Sequence, residues 1–404
     1  MIDLELLRKN PEVFQKGAEQ KGVKVSIPDI LHIDEEYRAK LRNLEKLRHE
    51  QNELAKKRET GDRAKEIKKD IKSLEKEVEH LHDRLFESLA SIPNPPEEGV
   101  PEGESESQNV VLREVGKKPS FDFKPKDHAD LGVKLGMIDF ESGAKVTGSG
   151  FYYLKNDGVR LELALVRYAL DFLAKKGFTL FLTPDLARER FYLGTGYAPK
   201  GAEAQTYVIE GSDLGLIATA EVTLAGIHAD EILDEKNLPL LYAGYSHCFR
   251  QEGGSYGKYS KGIYRVHQFT KVEMFAYVLP EDSEKIHKKF LRLEEELWQE
   301  WGIPYRVLDM CAGDLGNQAA RKYDLEAWMP GRGDWGEVTS TSNTTDFQAR
   351  RLSIRVRRKD GGLQYVHTIN GTAFATSRAF VSILENYQTK EGGIIIPEVL
   401  KKYM

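Results

Sequence analysis

Apolar residues between positions 33 and 85 recur at the spacing expected for packed helices. Two series are separated by Thr60-Gly61-Asp62, which is typical of a turn. In the second series the intervals alternate between four and three residues, the spacing of a heptad seam. This pattern predicts an antiparallel coiled-coil hairpin over about 34–90, forming an arm of ~40 Å at about 1.5 Å per residue. The apolar positions are Tyr37, Leu41, Leu44, Leu47 and Leu54, then Ile67, Ile71, Leu74, Val78, Leu81 and Leu85.

The pattern changes after residue 93, where proline, glycine, glutamate and serine dominate up to about residue 120. Such a composition is typical of a linker. We therefore predict an N-terminal domain over 1–100, a linker over 101–120 and a second domain over 121–404.

The second domain mixes helical and strand periodicities. Residues 160–174 have the apolar spacing of a helix, and 177–184 predict a strand ending at a proline. Residues 247–252 and 264–277 predict two strands joined by a glycine-rich loop over 253–262. The predicted fold class is α+β, with an antiparallel sheet flanked by helices.

Composition narrows the possible partners. The 404 residues carry a formal net charge of -5, with 40% hydrophobic and 30% charged residues. This balance argues against general nucleic-acid binding, so any RNA contact should come from a local basic patch. Cys248 and Cys311 form no Cys-x-x-Cys pair, so neither a disulfide framework nor a structural zinc site is expected. No apolar run approaches the ~20 residues that span a bilayer, so we expect a soluble cytoplasmic protein with no membrane partner.

One basic patch lies near the predicted tip of the arm. Residues 56–72 contain eight basic and four acidic side chains. A charged coiled coil is also typical of a solvated spacer or a dimerisation element, and the pattern alone leaves these alternatives open. The basic residues are Lys56, Lys57, Arg58, Arg63, Lys65, Lys68, Lys69 and Lys72.

The predicted hairpin over 247–277 concentrates binding chemistry. Because side chains alternate along a strand, Arg265, Phe269 and Glu273 should share one face, and Arg250 and Glu252 should share a face of the first strand. An arginine can grip a phosphate, an aromatic ring can stack on a purine, and a carboxylate can hold an ammonium or hydroxyl group. The alternative is a solvated hairpin whose charges pair across the strands.

Further polar residues recur in the second half of the chain. Thr219 and Glu221 have the same parity, so a strand would direct both towards an amino-acid ligand, although such a pair is also typical of a helix cap. Asn370 and Thr372 should share a strand face. Arg378 follows one turn into a helix, opposite its apolar stripe, and so can point at a ligand.

A carboxylate and a hydroxyl group also lie close together at Glu337 and Ser340. Mg²⁺ is usually held by one or two protein oxygens together with phosphate oxygens of the substrate. The pair is therefore a candidate magnesium contact, although generic polar turns give the same pattern.

These stretches together resemble the class II aminoacyl-tRNA synthetases, and their residues are most similar to those of the seryl-tRNA synthetases. Phe249-Arg250-Gln251-Glu252 and Arg265-Val266-His267-Gln268-Phe269 resemble motif 2, in which the family usually has serine where Gln251 stands. Residues 160–184 resemble motif 1, and 370–378 resemble motif 3. Thr219-Ala220-Glu221 matches the family's serine-binding loop. No Walker A sequence is present, which fits ATP binding on an antiparallel sheet.

The resemblance implies a role for each matching residue. Catalysis is implied for Arg250, Glu252 and Arg378, and magnesium held through ATP for Glu337 and Ser340. Serine binding is implied for Thr219, Ala220, Glu221, Arg250, Glu273, Asn370 and Thr372. ATP binding is implied for Arg250, Gln251, Glu252, Arg265, Val266, Phe269, Glu337, Val338, Thr339, Ser340 and Arg378.

The implied activity is ATP-dependent attachment of L-serine to tRNA(Ser) through a seryl-adenylate. The arm would grip the long variable arm of the tRNA, and motif 1 would form a homodimer. Whether selenocysteine tRNA, tRNA(Sec), is also serylated stays open. Two competing hypotheses are a catalytically silent paralogue acting as a binding module, and a ligase that charges a carrier protein.

Overall fold

The computed structural model describes residues 2–57, 61–197, 206–252 and 259–404. The chain divides into two compact units, Met1–Pro95 and Pro96–Met404. Within the described ranges, no helix is both long and apolar enough to cross a bilayer. Arg58, one of the predicted basic arm residues, lies outside the described residues.

The helices and strands are numbered in chain order. The helices are α1 (Leu4–Lys9), α2 (Pro11–Gln20), α3 (Ile27–Lys56), α4 (Asp62–Ala90), α5 (His128–Lys134), α6 (Phe140–Thr147), α7 (Asp157–Lys175), α8 (Glu189–Thr195), α9 (Glu221–Gly226), α10 (Ser283–Glu300), α11 (Phe347–Arg351), α12 (Thr376–Asn386) and α13 (Glu398–Lys401). The strands are β1 (Val110–Val115), β2 (Ile138–Asp139), β3 (Tyr153–Leu154), β4 (Thr179–Leu182), β5 (Leu186–Arg188), β6 (Leu214–Leu216), β7 (Ile232–Asp234), β8 (Leu240–Phe249), β9 (Gln268–Val278), β10 (Tyr305–Asp309), β11 (Arg321–Met329), β12 (Asp334–Asn343), β13 (Arg355–Arg357), β14 (Leu363–Tyr365) and β15 (His367–Ala375).

Two long helices, α3 and α4, dominate the N-terminal unit. They span 30 and 29 residues and pack together through the predicted apolar seam, with Leu44, Ile67, Ile71 and Leu74 buried between them. The predicted helical hairpin is confirmed. Helix α3 starts several residues earlier than the apolar pattern indicated, because the Ser26 hydroxyl accepts the Asp29 N–H at 3.3 Å and a proline in the first turn needs no donor of its own.

An eight-stranded sheet forms the centre of the C-terminal unit. Its strand order is β1-β10-β11-β12-β15-β9-β8-β4. All neighbours pair antiparallel except β4 and β8, which are parallel. The predicted α+β class with an antiparallel sheet flanked by helices is confirmed.

Amphipathic helices cover one face of this sheet. Leu161, Leu165 and Phe172 of α7 and Phe290 and Leu297 of α10 lie in the main hydrophobic core with residues of β9, β11 and β15. Their spacing of four or seven residues places them on one side of each helix. Helix α12 contributes to the same core, which fixes its first turn near the sheet.

Two predicted boundaries differ from the structure. The segment predicted as a linker contains β1, which pairs with β10 and forms an edge of the sheet. Strand β1 is almost fully exposed, so it shows no alternation of apolar and polar residues, and its flanks have linker composition. Strand β8 ends at Phe249 and β9 begins at Gln268, so Arg250, Glu252 and Arg265 lie in loops rather than on strands.

Candidate active site

A cavity of about 830 Å³ lies in the C-terminal unit and is lined by residues of β9, β11, β12 and β15 and the first turn of α12. Most residues predicted to contact serine or ATP line this cavity. They are Glu221, Arg250, Glu252, Arg265, Val266, Phe269, Glu273, Glu337, Val338, Thr339, Ser340, Asn370, Thr372 and Arg378.

One part of the cavity is a buried polar cluster on neighbouring strands. Thr372 on β15 lies directly opposite Glu273 on β9, and Glu273 and Thr372 are only 2% and 8% exposed. Lys271 forms an ion pair with Glu273 and donates to Thr219 Oγ1 at 2.8 Å and to Thr372 Oγ1 at 3.5 Å. The cavity therefore offers a carboxylate, an ammonium group and the Thr372 hydroxyl group to a small polar ligand.

Glu221 extends this cluster. Its Oε1 accepts from Gln348 Nε2 at 2.7 Å and from Asn370 Nδ2 at 2.9 Å, and its Oε2 accepts from the Tyr197 hydroxyl at 2.9 Å. Burial, followed by the nearby negative charge of Glu273, raises the pKa of Glu221 to about 7. A positively charged ligand group would favour its ionised form.

Of the two alternatives for the Thr-Ala-Glu segment, the structure shows the start of a helix and not a strand. Glu221 is the first residue of α9, and its N–H donates to Thr219 Oγ1 at 3.2 Å. The hydroxyl and the carboxyl group nevertheless reach the same cluster, because Thr219 is held there by Lys271. Thr219 and Ala220 are buried and do not line the cavity.

A second part of the cavity carries an arginine stacked on an aromatic ring. The Arg250 guanidinium lies 5.2 Å from the centre of the Phe269 ring. Glu252, which has a positive φ of 51°, pairs with Arg265 Nη1 at 2.7 Å. The face-sharing expected from strand parity is wrong for the loop residues Arg250, Glu252 and Arg265, although all three line the cavity. The Gln251 side chain instead donates to Thr206 O at 3.0 Å and does not line it.

Glu337 and Arg378, which both line the cavity, form an ion pair, with Arg378 Nη1 and Glu337 Oε1 2.8 Å apart. Burial opposes ionisation of Glu337, but Arg378 and then Lys322 outweigh it and hold its pKa well below the usual range. The Tyr264 ring lies 5.1 Å from the Arg378 guanidinium, and its hydroxyl donates to Glu337 O at 3.0 Å. The arginine is therefore fixed in place before any ligand binds.

The residues near Glu337 suit a metal ion that is held mainly by phosphate oxygens and only partly by the protein. Glu337 is 42% exposed, and Ser340 lines the same wall. Thr339 also lines the cavity, but its hydroxyl donates to the buried Glu294 Oε2 at 3.0 Å. Among the described residues, no group of three or more histidines, cysteines or acids could hold a metal ion. One carboxylate and one hydroxyl group fit Mg²⁺ only together with phosphate oxygens.

Two lysines in the cavity were missed by the sequence reasoning. Lys271 has the same parity as Phe269 and Glu273, so the alternation that located those residues could also have found it. Lys322 lies on β11 and its Nζ is 3.2 Å from Asp324 Oδ2. The alternation of Lys322 with Asp324 was the available signal, but a charged alternating strand is more often solvated.

The seven basic arm residues within the described ranges are exposed and belong to the N-terminal unit. Lys56, Arg63 and Lys65 pair with nearby acids of the same helices. Lys68, Lys69 and Lys72 are exposed. None of these three lysines forms an ion pair with another described residue. Their charge is therefore available to an anionic partner.

An apolar patch lies at the end of the sheet formed by β4. This strand pairs with β8 on one side only, among the residues described. Leu180 and Leu182 are 42% and 76% exposed, and Leu163 on α7 is 58% exposed. An edge strand flanked by exposed leucines is a typical docking surface.

Each of the two units matches a known protein family. Residues 206–387 match the family model described as tRNA synthetase class II core domain (G, H, P, S and T), and residues 1–96 match the seryl-tRNA synthetase N-terminal domain. A serine–tRNA ligase of Rubrobacter xylanophilus is 50% identical, over 100% of this chain and 98% of the relative. One of Dictyoglomus turgidum is also 50% identical, with the same coverage.

A crystal structure of seryl-tRNA synthetase from Pyrococcus horikoshii, complexed with ATP, is 47% identical and superposes with a TM-score of 0.91 over 100% of this chain and 98% of that chain. The antiparallel sheet with its arginine-lined cavity defines a class II aminoacyl-tRNA synthetase core. With its N-terminal helical unit and full-length relatives, the chain belongs to the seryl-tRNA synthetase family.

Proposed function

We propose that this chain activates L-serine with ATP and transfers the seryl group to tRNA(Ser). The observation that carries the proposal is the junction of two sites in one cavity. The buried cluster of Glu273, Lys271 and Thr372 adjoins the stacked pair of Arg250 and Phe269. An amino acid in the first site and ATP in the second would lie side by side.

Catalysis in this site rests on positioning and charge neutralisation. The serine carboxylate attacks the α-phosphorus of ATP, forming seryl-adenylate as pyrophosphate leaves. A terminal ribose hydroxyl of the tRNA then attacks the seryl carbonyl carbon, and AMP leaves. Arg250 would neutralise the α-phosphate and Arg378 the γ-phosphate, while Glu252 and Phe269 would hold the adenine. No covalent intermediate with the enzyme is needed.

Specificity for serine would come from the buried polar cluster. Alanine lacks the hydroxyl group and would leave buried hydrogen-bonding groups unpaired, and such sites can reject the analogue by ~10⁴ to 10⁵. Glu273 and Thr372 are buried enough for this penalty to apply. Threonine would be excluded by the volume of its additional methyl group.

Glu337 and Ser340 are proposed to hold Mg²⁺ together with the ATP phosphates. The bound ion would neutralise charge on the phosphates. Glu337 keeps its negative charge at neutral pH because of Arg378 and Lys322. Magnesium commonly uses few protein ligands when the substrate supplies the rest.

The arm is proposed to bind the tRNA through its basic tip. The exposed lysines at 68, 69 and 72 carry the positive charge that phosphate contacts require. We propose that the enzyme acts in the cytoplasm, where its tRNA substrate is used. We also propose a homodimer formed through β4 and α7, which is supported by the exposed leucines of that edge.

Serine-dependent exchange of pyrophosphate into ATP tests the activation step. The full-length protein would be assayed with magnesium and each of the twenty amino acids, without tRNA. We expect exchange with serine alone. Exchange with a different amino acid would overturn the substrate assignment, and no exchange with any would favour the silent paralogue.

A further inference from the structure

A segment without regular structure carries residues of the ATP site. Residues 261–267 directly precede β9 and form neither helix nor strand. Tyr264, Arg265 and Val266 nevertheless line the cavity. Because no strand ladder fixes this segment, other contacts must hold it in place.

A buried histidine provides one of these contacts. His128, the first residue of α5, is 0% exposed, and its Nε2 lies 3.2 Å from the N–H of Ile263. Gly262, with a φ of +62°, approaches so closely that a Cβ there would lie 2.1 Å from Nε2. Lys261 also pairs with Asp127, the N-cap of α5. The segment is therefore pressed against the start of α5.

The histidine is in turn held by the helix that carries Arg378. Glu385 of α12 is 0% exposed. Its Oε1 lies 2.9 Å from the ring atom His128 Nδ1 and also accepts the backbone N–H of His128 at 3.1 Å. Its Oε2 accepts the Gly331 N–H at 2.8 Å. Nδ1 therefore faces a carboxylate that can accept its proton, while Nε2 faces the segment, 3.2 Å from the Ile263 nitrogen and 3.2 Å from Lys261 O.

We propose that His128 is a positioning residue for ATP binding. Through Glu385 it connects α12, which carries Arg378, to the segment that carries Arg265 and Val266. The two walls of the ATP site are thereby held at a fixed separation. This inference rests on the proposed function, since it assumes that ATP occupies this cavity.

Two amide substitutions separate anchoring from folding. Asparagine at position 128 can still donate to Glu385 from the place of Nδ1 but does not reach Ile263, whereas glutamine brings an acceptor oxygen to the place of Nε2. In serine-dependent pyrophosphate exchange, His128→Asn should raise the KM for ATP about tenfold, the effect of leaving one buried N–H unpaired. His128→Gln should raise it less than about threefold, with the KM for serine nearly unchanged in both variants.

A third variant acts from the side of the segment. Gly262→Ala would place a Cβ 2.1 Å from Nε2 at a position with a φ of +62°, so the segment must move relative to His128 and the KM for ATP should also rise. An equal rise with asparagine and glutamine, an equal rise in the KM for serine, or an unchanged KM for ATP in Gly262→Ala would overturn the inference. A wild-type enzyme without serine-dependent exchange would overturn the proposed function itself, and the inference with it.

Discussion

Glu221 and Glu273 place two carboxyl groups in one buried cluster, and the pKa of Glu221 is about 7 because of burial and this neighbour. Below pH 7 Glu221 is mostly protonated, and above it the carboxylate predominates. If the ammonium group of serine needs the carboxylate, the KM for serine should fall about tenfold from pH 6 to pH 8. Glu221→Gln should bind serine more weakly and remove this dependence.

The KM for ATP serves as the internal control, since the proposed ATP site is formed by Arg250 and Phe269 and not by Glu221. It should change little over the same pH range. A KM for serine that is independent of pH in the wild-type enzyme would contradict the role of Glu221.

Glu337 offers a second test, because its charge is maintained by Arg378 and Lys322. Glu337→Gln removes the carboxylate proposed to contact magnesium. We expect the magnesium concentration for half-maximal pyrophosphate exchange to rise about tenfold, equivalent to roughly 1.4 kcal/mol. Glu326→Gln is the matched control: Glu326 lies opposite Glu337 on β11 but pairs with Arg306 outside the cavity. Equal effects of both variants would contradict the assignment.

Single residues show where sequence reasoning succeeds. Strand parity correctly grouped Phe269 and Glu273, because both lie within β9. Parity could not show that Lys271 is buried beside them, since a lysine on a strand is usually solvated. It failed for Arg265 and Glu252, where the chain has left the strands and only the family resemblance indicated a shared site.

At the scale of elements, the arm gives a direct prediction. Lys68→Glu, Lys69→Glu and Lys72→Glu together reverse the exposed charge on α4 without touching the apolar seam. We expect the KM for tRNA in aminoacylation to rise at least about tenfold and its salt dependence to weaken, because phosphate contacts release counterions. Pyrophosphate exchange should be unchanged, since the cavity lies in the other unit.

Arg84→Glu on the same helix, near its other end, is the control for altered charge. Unchanged tRNA kinetics in the triple variant would contradict the proposed arm contact. Deleting residues 40–85 separates the remaining hypotheses. A tRNA enzyme should keep adenylate formation and lose aminoacylation, whereas a carrier-protein ligase should lose neither.

The helical elements were easier to predict than the strands. Heptad spacing located α3 and α4 because it repeats over several turns and is set by local geometry. Strand β1 was missed because an exposed edge strand with few buried residues has no apolar alternation to detect. Its pairing with β10 connects residues far apart in sequence, which a local pattern cannot reveal.

For the whole molecule, the exposed edge predicts self-association. Leu163→Asp with Leu182→Asp places two charges on the patch of α7 and β4. Burying an unpaired charge is costly, so we expect the dimer to dissociate to monomers. Light scattering after gel filtration would measure the mass. Val13→Asp, at an exposed position of the N-terminal unit, is the control, and a double variant that stays dimeric would contradict this interface.

Aminoacylation is the most direct test of the central claim. The purified chain would be incubated with ATP, magnesium, total tRNA and labelled serine, alanine or threonine, and the label on tRNA measured. We expect serine alone to be attached, and only to serine-accepting tRNA, with tRNA(Sec) assayed separately as a second acceptor. Absence of seryl-tRNA, or attachment of another amino acid, would contradict the account.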